Sequence, residues 1–504
     1  MKGIQIESPF LYLRMRISVI IFSFFLTITT VFGQAFEANS EFNRAYGHLL
    51  NLEFEKGAQV IESIKAKDQK NLATVYLIDL SDFLQIVVTE DHALFSSRKE
   101  LRSERLKAIS ALPESSPYKL LCEGEIHLHW AFSMMRFGEY LNGAREINKA
   151  FHALEKNMKI HPDFIPTYKS MGLLHTLIGT VPDNYKWATK LMGVDGTIEQ
   201  GISEMEKVLT FSEGKPELTN QRKETLFLLS FLHINLLNDS EGLLKYQELV
   251  KSETGPLMDF TQASLLKESG QADKAMEVLS KSKGGSVFPY LSFLHGEMKL
   301  ARMDADADLK FLEYVRFFKG NSYLKAAYQK LAWHALLVKN NEELYKSRIS
   351  KVDGVGNTML DEDKAAQKEY ESGQIPNKTL LKARLQFDGG YLTNALKTLV
   401  TSKNSDLKTE DDRLEFTYRL ARIHDELGND KEAISYYQLT IEQGKDSKRY
   451  FAANASLMLG LLHEREGRKK EALKAFESCS DFNNSEYRNS INQKAKAGIL
   501  RLKG

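Results

Sequence analysis

Few side chains here could do chemistry, and their spacing decides what that chemistry would be. Histidine recurs three residues after a small residue: Gly172/His175, Ser230/His233, Ser292/His295, Ala421/His424 and Gly460/His463. Such a ladder of imidazoles would titrate near neutral pH or hold a metal. Stacked helices instead hold neighbouring rows ~10 Å apart, too far for shared ligation. Packing between helices, each ring satisfied locally, is therefore the expected role. His127 and His129 are two residues apart, so on a helix they point to different sides and do not chelate together. Asp304, Asp306 and Asp308 imitate the start of a calcium loop. Its sixth position is Leu309 instead of Gly and its twelfth is Val315 instead of Glu, so a helix start capped by Asp is expected instead.

Nucleophiles are equally scarce. Cys122 falls in a helical run and Cys479 at a small-residue position, as packed thiols do. A disulfide between them would join distant parts of the chain. Two cysteines rule out a disulfide scaffold and a multi-cysteine metal site. No nucleophile elbow, His-Glu-x-x-His, phosphate loop or dinucleotide fingerprint occurs. Neither catalysis, metal nor cofactor is expected. Lys plus Arg (68) against Asp plus Glu (67) leaves a charge of +1, which excludes a general polyanion binder.

The elements that would position these residues are repeated. Gly-x4-Ala recurs as Gly270/Ala275, Gly390/Ala395, Gly428/Ala433 and Gly467/Ala472. Twelve residues before each Ala stands a small residue: Ala263, Ala383, Ala421, Gly460. Four residues after stands a large one: Leu279, Leu399, Tyr437, Phe476. Seven after stands Ser282, Ser402, Thr440 or Cys479. Two antiparallel helices approach closely only where side chains are small. Glycine suits the turn between them because positive φ costs it little. Apolar residues recur at helical spacing with no sustained period-2 run, so the fold class is all-α: an α-solenoid of antiparallel helix pairs.

This pattern resembles the tetratricopeptide repeat family, best at 414–443 and 453–482. The unit here is 38 to 39 residues against the family's 34. Residues 288–316 and 321–347 fit two degenerate pairs, and the Gly- and acid-rich stretch 353–376 fits an insertion. Upstream, 41–63, 124–155, 165–210 and 223–250 show the helical period with weaker signatures. The organisation expected is an N-terminal divergent half, 34–252, and a C-terminal half, 253–504, stacked continuously as roughly 11–13 pairs.

The resemblance also implies a site. In the family, first helices line a concave groove that takes a partner peptide or helix. Its groove positions fall here on Asn377, Arg384 and Phe387, then Tyr418, Arg422 and Asp425, then Asn454, Leu461, Glu464 and Arg465. Arg384 and Arg422 hold the same repeat position and suit a carboxylate or backbone carbonyls. Asp425 and Glu464 are placed to neutralise them instead. The Lys/Asn clamp of chaperone-tail-binding relatives is not reproduced.

Residues 178–201 leave the repeat. Pro182, Gly193, Gly196 and Gly201 around an amphipathic Tyr185–Met192 resemble a segment of a eukaryotic branch of the family. Phe288-Pro-Tyr-Leu, Gly296 and Gly389-Gly390-Tyr391 fit that branch too. It implies an adaptor at the mitochondrial outer membrane or in lipid regulation. Tyr185, Trp187 and Met192 in this irregular segment form a second candidate contact, a self-packed loop being the other reading.

The N-terminus argues for another compartment. Arg14 and Arg16 precede an apolar run from Ile17 to Phe32, with Val31 and Gly33 at −3 and −1. That is a secretory signal, residues 1–33, with cleavage after Gly33 or, alternatively, after Ala35. An uncleaved anchor is the other reading, and translation from Met15 another. Cleavage after Gly33 leaves the chain near −1. The function expected is an exported, non-catalytic scaffold in a bacterial periplasm or at the outer membrane, binding other proteins or peptides, with peripheral envelope association. A carrier or accessory subunit for lipid or glycan handling is the alternative.

Overall fold

The structure is a computed structural model that describes residues 34–181, 186–237, 240–483 and 486–503. Residues 1–33, read from the sequence as a secretory signal, lie outside them, as do Pro182 and Tyr185. The described chain is helical, with one isolated β-bridge between Ala35 and Asn71.

In the N-terminal half, α1 (Ser40–Leu50) pairs with α2 (Phe54–Lys67), and α3 (Ala73–Thr89) precedes the short α4 (His92–Lys99) and α5 (Arg102–Ser110). The long helices α6 (Pro117–Arg136) and α7 (Tyr140–Ile160) form the next pair. Then α8 (Pro166–Gly179), the short α9 (Lys186–Leu191) and α10 (Ile198–Ser212) are followed by α11 (Thr219–Leu232) and α12 (Ser240–Val250).

The C-terminal half runs as pairs: α13 (Pro256–Glu268) with α14 (Ala272–Lys281), α15 (Tyr290–Arg302) with α16 (Ala307–Phe317), α17 (Leu324–Leu337) with α18 (Glu342–Ile349). One helix, α19 (Asp361–Ser372), intervenes. Then come α20 (Lys378–Asp388) with α21 (Leu392–Val400), α22 (Glu410–Glu426) with α23 (Asp430–Gln443), α24 (Phe451–Arg465) with α25 (Lys469–Ser478), and the closing α26 (Arg488–Lys503).

The repeat pattern does what its residue types require. The four motif glycines turn the chain with φ of +66° at Gly270, +79° at Gly390, +73° at Gly428 and +75° at Gly467. The alanines at the crossings, Ala263/Ala275, Ala383/Ala395 and Ala421/Ala433, are fully buried. Gly460 does the same work with no side chain at all. A Cβ there would meet the Phe476 ring at 2.6 Å, and Gly498 of α26 closes on the same ring at 2.6 Å. Phe476 thus joins three helices, α24, α25 and α26.

The expected insertion 353–376 contains a helix of its own. Asp363 of α19 is buried and accepts hydrogen bonds from the backbone N–H groups of Tyr323 (2.6 Å) and Ala326 (3.0 Å), capping the start of α17. Asp306 occupies the N-cap position of α16, but its carboxylate pairs with Lys299 at 2.7 Å and makes no cap bond.

A stack that touches only its neighbours is not what forms. Helix α1 packs on α11: Asn220 donates to the Asn43 carbonyl (2.7 Å), Lys223 to Asn51 (2.6 Å), and the Tyr46 hydroxyl to Glu224. Glu90 accepts from the N–H groups of Asn321 and Ser322 and pairs with Arg136. Gly390 closes on the backbone of Gly270 so tightly that position 390 has no room for a side chain, and Tyr391 donates to Asp273 at 2.9 Å. The stack curls until distant pairs meet. Loop ends and buried polar groups, which carry no periodicity, make those contacts.

Candidate functional site: the face of the first helices

Along the C-terminal half the first helices α13, α15, α17, α20, α22 and α24 are successive neighbours. Their shared face carries a ladder of cations, carboxylates and rings. It begins at Glu297, which takes Lys267 at 2.9 Å and Lys330 at 3.4 Å. Burial pushes the Glu297 carboxyl up, but the two ammonium groups outweigh it and hold it below the usual range. Lys330 lies 5.0 Å above the Trp333 ring. Trp333 donates its indole N–H to Glu369 of α19 at 2.9 Å.

The expected groove residues continue this ladder. The Arg384 guanidinium lies 4.8 Å from the centre of the Trp333 ring and has no carboxylate partner among the described residues. Arg422, its repeat equivalent, lies over Phe387 at 5.3 Å and pairs with Glu426 at 3.3 Å. Tyr418 is buried, and its hydroxyl accepts from Asn454 at 2.5 Å. Asp425 takes the Tyr437 hydroxyl at 2.8 Å and Arg465 at 3.0 Å. Glu464 takes Arg501 of α26 at 2.7 Å, and Leu461 is exposed. Asn377 caps its own helix instead of facing the ladder: it accepts from the N–H groups of Thr379 and Leu380 and donates to the Asp406 carbonyl at 2.7 Å.

Sequence reasoning missed Lys267, Glu297, Lys330 and Trp333. Glu297, Lys330 and Trp333 sit in the degenerate pairs, where no register assigns them to the face, whereas Lys267 stands four residues after Ala263, the repeat position of Phe387, Asp425 and Glu464. A cation–carboxylate–cation series on one face of successive first helices was the available signal.

The other candidates sit apart from this face. Gly179, Gly196 and Gly201, with Gly172 of α8, serve packing: Cβ atoms at Gly172, Gly179 and Gly196 would meet the Gly201 carbonyl at 2.6 Å, Ile198 N at 2.5 Å and His175 Cα at 2.6 Å. Helices α8 and α10 therefore cross with backbones in contact. The Met192 carbonyl after α9 accepts from Asn148 of α7 at 2.8 Å. Trp187 on α9 is 65% exposed and Leu191 is 81% exposed. His127 reaches Glu146 (2.6 Å) and His129 reaches Asp79 (2.8 Å), on different sides of α6. His175 meets Glu204 at 2.7 Å, His233 packs 4.8 Å from the Tyr246 ring, and His424 stacks on Tyr436 at 5.6 Å. Burial pushes His295 down to about 4 and His463 down as well. Cys122 and Cys479 are buried free thiols, and burial pushes Cys479 up to about 12. Among the described residues no helix is long and apolar enough to cross a membrane.

The tetratricopeptide repeat family matches residues 414–442 and 453–485, the pairs α22/α23 and α24/α25. None of the curated proteins matches the chain by sequence. Among solved structures it is similar to the crystal structure of the APC/C hetero-tetramer Cut9-Hcn1, at 11% identity over 90% of this chain and 95% of that one. The TM-score is 0.25, too low to bear on site or partner. Helix pairs turned by left-handed glycines, with small residues at the crossings, make the described chain an α-solenoid, and two of its pairs, α22/α23 and α24/α25, match the tetratricopeptide repeat.

Proposed function

We propose that the protein is an exported, non-catalytic scaffold that holds an acidic segment of a partner protein against the first helices of its C-terminal half. The observation that carries this reading is the difference between two repeat-equivalent arginines. Arg422 is engaged by Phe387 and Glu426. Arg384 is supported by Trp333 from below and has no carboxylate of its own among the described residues. A guanidinium that meets only a ring, here 4.8 Å from its centre, still has N–H groups to offer a carboxylate. Phe387 and the Trp333 shelf beside it would supply apolar contact.

Export is supported by residues 14–33 and by how the chain is held just after them. Ala35 bonds through its N–H to the Lys70 carbonyl (3.2 Å) and accepts from Leu72 N–H (2.8 Å), and Phe36 stacks on Tyr118 at 4.2 Å. Cleavage after Ala35 would remove both Ala35 hydrogen bonds, so Gly33 is the favoured site. Envelope association is favoured by exposed Trp187 and Leu191, the feature that keeps the lipid- or glycan-handling alternative open.

The test places a photo-reactive residue at position 384 and, as control, at Lys431 on α23, in the native cell. A defined protein adduct at 384 and none at 431 is expected. Arg384→Glu should abolish capture while Arg422→Ala mainly destabilises the fold. Equal labelling at both positions would remove the groove from consideration. N-terminal sequencing of the envelope protein should begin at Gln34.

A further inference from the structure

On the opposite side of α20 from Arg384 lies an open cleft of about 500 Å³, the junction between the α17/α18 and α20/α21 pairs that residues 350–377 interrupt. Lys378, Thr379, Lys382 and Gln386 recur along one face of α20, and Asn394, Lys397 and Thr398 face them from α21. Leu336 and Leu337 of α17 give it a small apolar wall. Its lining contains three lysines and no carboxylate.

The charges are mostly uncommitted. Lys378 reaches Glu342 at 2.9 Å and Asn340 at 3.1 Å. Lys382 and Lys397 have no ion-pair partner among the described residues. Glu342, at the rim, is itself surrounded by Lys378, Lys346 and Lys408, and they hold its carboxyl below the usual range. The cleft is therefore a local cationic site on a chain whose overall charge is near zero. Gln386 is buried and accepts from the Thr398 hydroxyl at 2.7 Å. Its amide nitrogen has no partner among the described residues and remains a donor at the cleft wall.

Lysine ammonium groups bind oxyanions as point charges. Amides and threonine hydroxyls donate and accept, as a hydroxylated body requires. A volume of this size suits a small molecule. We infer that this cleft binds a sugar-like ligand bearing one oxyanion, a phosphate or a carboxylate. The inference is independent of the groove reading, because it uses the other face of α20.

Calorimetric titration of the full chain with glucose 6-phosphate, glucuronate, inorganic phosphate and glucose tests it. One of the two sugar anions should bind at a single site, more tightly than inorganic phosphate, with glucose silent. Which of the two binds identifies the oxyanion. Lys382→Gln with Lys397→Gln, at a half-buried and an exposed position, should weaken that binding at least tenfold, since two charged hydrogen bonds to the oxyanion are lost. Silence toward both sugar anions, inorganic phosphate binding as tightly as the sugar anion, or an unchanged double variant would each overturn it.

Discussion

The two halves of the molecule solve one problem, holding helix on helix, by different means. The C-terminal half uses a residue code: a glycine turn, alanines at the crossing, one large ring or leucine between pairs. The N-terminal half uses buried charge. Asp79 is almost fully buried and takes Arg105 (2.8 Å), His129 (2.8 Å) and the Trp130 indole (3.0 Å), with Asp82 on the other arm of Arg105. Nearby, Lys169 is 1% exposed and held by Glu224 (2.6 Å) and Glu125 (3.0 Å). Tyr76 donates to Glu125 at 2.6 Å. These clusters tie α1, α3, α6, α8 and α11 together.

That difference explains what could be read from the sequence. A code that repeats is visible, so the glycines, alanines and Phe476 were placed correctly, and so were the pairs 288–316 and 321–347. A buried ion cluster is assembled from single residues far apart in the chain, such as Lys169 with Glu224 and Tyr46. No window of sequence contains it. The same holds for the groove: Arg384 and Arg422 were legible as equivalents, but their inequivalence comes from Trp333 and α19, outside the repeat register. Glycines 193–201 looked like a contact loop. Gly196 and Gly201 matter for their missing side chains, which let α8 and α10 touch, while Gly193 serves by its positive φ of +66°.

The sharpest break of the comparison is between two aspartates. Asp79→Ala leaves His129 and one arm of Arg105 buried without a carboxylate, and breaking a buried pair costs about 3–5 kcal/mol. Asp411→Ala removes a half-exposed carboxylate whose partner Arg449 is 45% exposed, and loss of such a pair costs at most ~1 kcal/mol. Denaturant unfolding with hydrogen exchange read separately over 34–252 and 253–504 checks both. Equal losses would refute the division.

Next in size is the backbone crossing. Gly201→Ala would drive a Cβ into the Gly172 carbonyl and Thr176, neither of which can yield without separating α8 from α10. Overpacking of this kind costs about 1–3 kcal/mol. In the C-terminal half Gly428→Ala meets nothing within 4 Å and bears only the strain of φ +73°, about 1 kcal/mol. If Gly201→Ala proves the milder of the two, the crossing is looser than its geometry.

The smallest effect, pH dependence, separates the halves by window. In the N-terminal half, burial pushes Glu146 up, but hydrogen bonds from His127 and Lys149 outweigh it and bring it down to about 2. A carboxyl held low stabilises the fold above about pH 4.5 and loses that contribution as pH falls toward 2. In the C-terminal half, burial first, then the nearby Lys310 and Lys299, bring His295 from 6.5 down to about 4. The folded chain resists protonating it, so its stabilisation is complete above pH 6.5 and fades as pH falls toward 4. Between pH 6.5 and 4.5, therefore, exchange should accelerate in α15 and its neighbours while α6 and α7 hold. His295→Gln, which cannot take the proton, should flatten the C-terminal response in that window and leave the N-terminal response below pH 4.5 unchanged. A variant that still softens between pH 6.5 and 4.5 would shift the cause to His334 and His463, the other imidazoles of that half held low by burial.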